Sequence, residues 1–332
     1  MRIDREVLLN IAKKTAETCA VDEPWVLAIY LTGSVLDGEP LMGGTADIDL
    51  VIIHDEEMEG REIRRITEDI HIDILHHPRS HYKDGRNLRI DPVWGHTLNC
   101  CQPLYDPKHF LNIIQASVRG MYKDPEHIAQ RVESQLNKAR NTWLEFHNQT
   151  PESNQETSWK YLEAVRNCVN SVACLNGGPL TTRSFMLQYK KITDEIGLPG
   201  LYQGLLGLLG GYEVEEKIPD EWFDEWKEAF CAASEVEELE ELDQIRQPYY
   251  FKAVQALSDS GDPSFAFWPM LYTWNLAIRK ISNKELFKKW EERFSTLGLT
   301  GAGLEMRLEG LDLYLDQVET LVDNWKKHHG IV

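Results

Sequence analysis

The sequence has no excess of positive charge. Its 54 Asp and Glu residues outnumber its 35 Lys and Arg residues, which gives a formal net charge of −19. Because nucleic-acid binding depends on Lys and Arg side chains that displace counterions from phosphates, this balance disfavours a nucleic acid or another long polyanion as substrate. A small cationic substrate is compatible with the charge. The charge is also explained if it only keeps the protein soluble.

Disulfide spacing, membrane spans and biased segments are absent as well. The six cysteines show no framework spacing in a chain of 332 residues, which is typical of reduced thiols in a cytosolic protein. No uncharged stretch reaches the roughly 20 apolar residues that a bilayer span needs. Met1 leads into a predicted amphipathic helix rather than a signal peptide. We therefore expect a cytoplasmic protein with no membrane segment, and we find no internal repeat.

The distribution of strand and helix patterns predicts two domains. Apolar runs predict strands at Trp25–Thr32 and Asp47–His54, and alternation predicts two more around Glu68 and Asp69. Beyond Asp106 the periodicity is helical. The predicted helices are Pro125–His147, Gln155–Leu175, Thr181–Ile196, Asp220–Ser234, Phe265–Ile281 and Leu304–His328. The fold class is α+β, with a small mixed β-sheet and flanking helices in residues 1–115 and an all-helical domain in residues 116–332.

Two aspartates stand in the apolar frame of the second predicted strand. Side chains alternate along a strand, so Asp47 and Asp49 point to one face. Two neighbouring carboxylates repel each other unless a cation lies between them, and Mg²⁺ prefers such oxygen ligands. If the next strand pairs in the expected register, Asp73 joins them on the same face. The sequence therefore predicts a site for one or two metal ions, with a phosphate chain as co-ligand.

The turn before these aspartates has the composition of a phosphate contact. Gly33 lets the backbone approach a phosphate closely, and Ser34 adds a hydroxyl donor beside the backbone N–H groups. A metal–nucleotide complex that bridges the turn and the acids would explain both features. The alternative is a solvated acid cluster without function.

Gly-Ser, twelve intervening residues, Asp-Ile-Asp-Leu and a later strand aspartate form a recognisable pattern. It resembles the signature of the DNA polymerase β-like nucleotidyltransferase superfamily over about residues 25–76. Residues 159–196 ("WKYLEAVRNCVNSVACLNGGPLTTRSFMLQYKKITDEI") are similar to the helical region of aminoglycoside adenylyltransferase-type enzymes. The resemblance implies that Arg166 and Arg183, the latter in place of a lysine, contact the triphosphate. It also implies that Asp73 is a metal ligand, the general base or both.

These observations predict an enzyme that transfers a nucleoside monophosphate from ATP or another NTP to a hydroxyl of a small molecule. Its predicted partners are the NTP and the acceptor, and an aminoglycoside-like acceptor is one possibility that the resemblance implies. Two alternatives stay open. The acceptor could be a protein or an RNA end, although no basic patch is evident, or the chain could be a non-catalytic nucleotide-binding module.

Four histidines cluster in "HIDILHHPRSH", at positions 71, 76, 77 and 81. A zinc site is usually signalled by cysteine partners or by an H-E-x-x-H helix, and neither occurs here. The sequence therefore predicts surface histidines at a strand end. His71 is distinguished from the others because it shares a strand face with Asp73.

Overall fold

The computed structural model describes residues 3–23, 25–36, 39–148, 153–214, 218–236 and 240–331. The chain divides into two compact units, Met1–Gln130 and Arg131–Val332. The boundary between these units, at residues 130 and 131, lies later in the chain than the predicted boundary between the catalytic and helical domains at residues 115 and 116. The predicted boundary of the catalytic domain stays a prediction.

The first unit is built on a five-stranded mixed sheet in the order β3-β4-β2-β1-β5. The strands are β1 (Val26–Thr32), β2 (Ala46–His54), β3 (Gly60–Arg65), β4 (Ile70–Pro78) and β5 (Gln102–Tyr105). β2 and β4 run parallel, while β1–β2, β1–β5 and β3–β4 are antiparallel. The predicted strands are thus confirmed, and the parallel pair places both candidate acid strands at the centre of the sheet.

Helices cover both faces of this sheet. They are α1 (Arg5–Asp22), α2 (Gly85–Ile90), α3 (Pro92–Cys100) and α4 (Phe110–Arg119). Leu8, Ala12 and Ala16 of α1 pack with the side chains of β2 and β4 that alternate with the aspartates, such as Ile48 and Ile72. The opposite face buries Val51 and Ile53 with residues of α3 and α4, such as Leu98 and Leu111. The candidate acids therefore lie on the α3–α4 face, at the end where β2 begins.

The described residues of the second unit form helices joined by turns and loops, with no strand among them. The unit contains most of α5 (Pro125–Asn148), then α6 (Asn154–Ala173), α7 (Phe185–Glu195), α8 (Pro199–Leu208), α9 (Asp220–Ala233), α10 (Gln247–Ser258), α11 (Phe267–Ile278), α12 (Lys284–Thr296) and α13 (Gly303–His328). All twelve residues of α11 are buried, as expected for a helix that is apolar on every side. The α+β fold class with a helical C-terminal region is therefore confirmed.

Four helices beyond the strand region were not predicted, namely α4, α8, α10 and α12. α8 carries three glycines, which weaken the helix signal in the sequence. One of them, Gly204, allows α8 to pack closely against α13. A Cβ on Gly204 would lie 2.8 Å from the ring of Tyr314 on α13. Within the part of the chain that the structure describes, no helix combines the length and the apolarity needed to cross a membrane.

Candidate functional site

The parallel pairing of β2 with β4 brings the predicted acids together. In this register Asp49 lies opposite Asp73, and Asp47 lies opposite His71. Because side chains alternate along both strands, all four residues point to the same face of the sheet. The expected register of the second acid strand is therefore confirmed.

One carboxylate oxygen each of Asp47, Asp49 and Asp73 lies within 4.8 Å of the other two. Asp47 and Asp73 are 5% and 4% exposed, and Asp49 is half-buried. Buried carboxylates at this separation repel each other unless positive charge is near. Their oxygens are the hard ligands that Mg²⁺ prefers, so the donor set fits a divalent ion whose remaining positions are filled by phosphate or water.

Two cationic or polar side chains already contact the acids. Arg61 on the edge strand β3 donates from Nε to Oδ1 of Asp73 at 2.7 Å, and its Nη2 contacts Oδ2. Nε2 of His71 lies 3.2 Å from Oδ1 of Asp47. A bidentate guanidinium fixes the orientation of a carboxylate as well as its charge environment. Asp73 is thus held in a defined position, which both a ligand and a proton acceptor require.

Sequence reasoning missed Arg61. The alternation of side chains along β3 could have indicated it. Ile63 is paired with Asp73, and Arg61, two residues before Ile63, points to the same face of the sheet. This inference needs the pairing of β3 with β4, and without that pairing Arg61 is one of several charged residues in a short strand.

The Gly33 turn contacts the acid site directly. Gly33 is the first residue of a 3₁₀ turn, Gly33–Val35. Its φ is 75°, a backbone conformation that residues other than glycine rarely adopt. A Cβ at this position would lie only 1.9 Å from Oδ2 of Asp49. The backbone of the turn therefore packs against the Asp49 carboxylate. The predicted approach of this backbone to a phosphate stays a prediction.

Ser34 offers a further polar group in the turn. Its Oγ is buried and has no hydrogen-bond partner among the described residues. An orphaned buried hydroxyl costs free energy unless a ligand or water satisfies it. This is the condition expected of a group that binds a phosphate oxygen.

The prediction of surface histidines is wrong for His71 and His76. Their exposed fractions are 2% and 7%. His77 is half-buried, and burial together with His81 and His76 lowers its pKa to about 4, so that it is neutral near pH 7. Its Nδ1 lies 2.8 Å from the hydroxyl of Tyr82, which makes it part of the packing on the α3–α4 face.

The two candidate phosphate-binding arginines lie in the second unit, and the guanidinium group of each contacts other side chains of that unit. On α6, Arg166 donates to the Tyr272 hydroxyl and to Oε2 of Glu163, each at 2.9 Å. Arg183 is 5% exposed, and its guanidinium carbon lies 3.7 Å from the ring centroid of Tyr249. The Glu163–Arg166 ion pair, an alternative that the i, i+3 spacing suggests, is present. The proposed triphosphate contacts of both arginines stay predictions.

The chain matches no protein-family model and no curated protein. Among solved structures it is similar to the crystal structure of a nucleotidyltransferase-like protein from Exiguobacterium sibiricum 255-15. The superposition covers 87% of this chain and 89% of that chain, at 9% sequence identity and a TM-score of 0.33. At this level of similarity, the function of the chain has to be inferred from its own side chains.

Proposed function

We propose that this protein is a metal-dependent nucleotidyltransferase that transfers a nucleoside monophosphate, AMP from ATP, to a hydroxyl group of a small molecule. One observation carries the proposal: three carboxylates from two adjacent parallel strands meet beside the Gly33–Ser34 turn. Aspartates with only a structural role do not need a glycine packed against one of them. A site for a metal–phosphate complex uses the carboxylates to bind the metal and the exposed N–H groups of a glycine turn to bind the phosphate.

The residues take distinct roles in this proposal. Asp47 and Asp49 would hold Mg²⁺, which supplies charge neutralisation at the phosphate oxygens. Ser34 and the backbone of the turn would bind the phosphate chain. Asp73, oriented by Arg61, would complete the metal site or accept the hydroxyl proton of the acceptor.

The proposed reaction is an in-line displacement. The acceptor oxygen attacks the α-phosphorus, the new O–P bond forms while the bond to the bridging oxygen of the β-phosphate breaks, and pyrophosphate leaves. The hydroxyl proton passes to the base. Rigid strands suit this chemistry because the reacting groups have to be held in line at short distance.

The test uses ATP labelled either at the α-phosphate or at the γ-phosphate, with Mg²⁺ and a panel of acceptors that begins with polycationic sugars. We expect the α-label to move to a small molecule and the γ-label to appear in pyrophosphate. Transfer of the γ-label to the acceptor would contradict the reaction type. An α-label found on a protein or RNA would contradict the acceptor class alone. Absence of transfer from each of the four common NTPs would contradict the enzyme proposal.

A second measurement tests the arginines. We expect Arg183→Ala to weaken binding of ATP with Mg²⁺ by about tenfold or more, and binding of AMP by much less, because AMP lacks the phosphates that a guanidinium would contact. Calorimetric titration of both nucleotides measures this difference. Arg183→Lys is the control that keeps the positive charge. Equal losses for ATP and AMP would show that Arg183 serves only its packing on Tyr249.

A further inference from the structure

Two buried histidines meet at the far end of β2 from the acid cluster. His54 is the last residue of β2, and its Nε2 lies 2.9 Å from Nδ1 of His76 on β4. Their exposed fractions are 1% and 7%. His54 lies five positions after Asp49, or ~16 Å along the strand, and an odd offset places the two side chains on opposite faces of the sheet. The histidine pair is therefore a separate location from the acid site.

A carboxylate lies beside this pair. Glu23 directly follows α1, and its Oε2 is 3.8 Å from Nδ1 of His54. One ligand atom each of Glu23, His54 and His76 lies within 4.8 Å of the other two. Two imidazole nitrogens and one carboxylate oxygen form a ligand set typical of zinc sites that keep a fourth position for water.

The surroundings of the pair also fit a cation. The second nitrogen of His76, Nε2, lies 3.5 Å from Oε1 of Glu62. Histidines that bind a metal commonly donate their remaining N–H to a carboxylate in this way, which directs the other nitrogen toward the metal.

We propose that Glu23, His54 and His76 bind one Zn²⁺ ion, which joins the end of α1 to β2 and β4. Zinc–nitrogen bonds of tetrahedral geometry place two ligand nitrogens about 3.4 Å apart. In the proposed site His54 binds through Nε2, the nitrogen that faces His76, so these two nitrogens separate by roughly half an ångström from 2.9 Å and Glu23 moves toward the same ion. The competing explanation is a hydrogen bond between two neutral histidines that serves packing alone.

The test measures metal binding by the full chain after chelator treatment, without nucleotide. Co²⁺ serves as the spectroscopic probe, and Zn²⁺ affinity follows from competition with a chromophoric chelator. We expect one Co²⁺ with the strong visible absorption of a four-coordinate site, displaced by Zn²⁺, while any Co²⁺ held by the oxygen ligands of the acid site absorbs only weakly. We also expect Zn²⁺ to raise Tm, because a ligand of the native state stabilises it.

Two ligand variants separate a metal site from a packing contact. We expect Glu23→Gln to weaken Zn²⁺ binding at least about tenfold and His76→Gln about a hundredfold, since each removes one ligand. Glu23 is partly exposed at a helix end, so its variant keeps the test valid if the buried His76 variant does not fold. Unchanged Zn²⁺ affinity in Glu23→Gln, or the lack of strong four-coordinate cobalt absorption in the wild type, would overturn the proposal.

Three control variants locate the ion. Asp49→Asn changes the acid site, Cys19→Ala removes the thiol one helical turn before Glu23, and His81→Gln removes a histidine outside the set. Each should keep the Zn²⁺ affinity of the wild type. Loss of binding in any of these controls would place the ion elsewhere and so contradict the site. Because no nucleotide is present, failure here is distinct from failure of the nucleotidyltransferase proposal.

Discussion

Asp49→Asn should abolish metal-dependent nucleotide transfer while the protein stays folded. The amide removes a charged oxygen ligand from the three that meet at the acid site. A catalytic metal contributes several kcal/mol of transition-state stabilisation, and each 1.36 kcal/mol corresponds to a factor of ten in rate. We therefore expect kcat to fall by about a thousandfold or more, measured as pyrophosphate release at saturating Mg²⁺ and ATP.

The same variant has an opposite effect on stability. Three carboxylates close together repel each other in the absence of a metal ion, so removing one charge should leave Tm without metal unchanged or raise it. Asp55→Asn is the matched control, because Asp55 follows the last residue of the same strand and makes an exposed ion pair with Arg79. Such pairs contribute about 0–1 kcal/mol, so this control should keep both activity and fold. Full transfer activity in Asp49→Asn would contradict the metal assignment.

Gly33→Ala should lower both the stability of the first unit and the activity of the acid site. The new Cβ would lie 1.9 Å from Oδ2 of Asp49, so the carboxylate or the turn has to move. A residue other than glycine at this φ costs about 1–2 kcal/mol, and an Asp49 side chain forced off its rotamer costs about 0.5–1.5 kcal/mol more. We expect the free energy of unfolding to fall by roughly 2–3 kcal/mol. A displacement of about 1 Å at the site should also lower kcat by about a hundredfold.

Gly44→Ala separates the two effects of that substitution. Gly44 has φ of 77°, close to that of Gly33, but a Cβ there meets nothing within 4 Å. This variant should therefore show only the backbone cost of about 1–2 kcal/mol, seen in chemical denaturation, with kcat close to wild type. Equal activity losses in the two variants would contradict the role of Gly33 in positioning Asp49.

The sequence by itself determined the secondary structure around the acid site and the shared face of its aspartates. Alternation along a strand is a local property, so the common face of Asp47 and Asp49 follows from their spacing alone. The apolar runs placed β1 and β2 correctly, and alternation placed β3 and β4, for the same reason. The helical periodicity of Phe265–Ile281 likewise predicted α11, because that periodicity is also a local property.

The tertiary structure decided which groups surround those aspartates. Contacts such as Arg61 with Asp73, or Gly33 with Asp49, depend on strand order and register, which join residues far apart in the chain. The histidine prediction failed because the exposure of a strand end depends on what packs there. His54 and His76 lie 22 residues apart, and only the parallel pairing of β2 with β4 brings their rings together. Single-sequence patterns carry no information on such pairings, because they report local periodicity and not long-range contact.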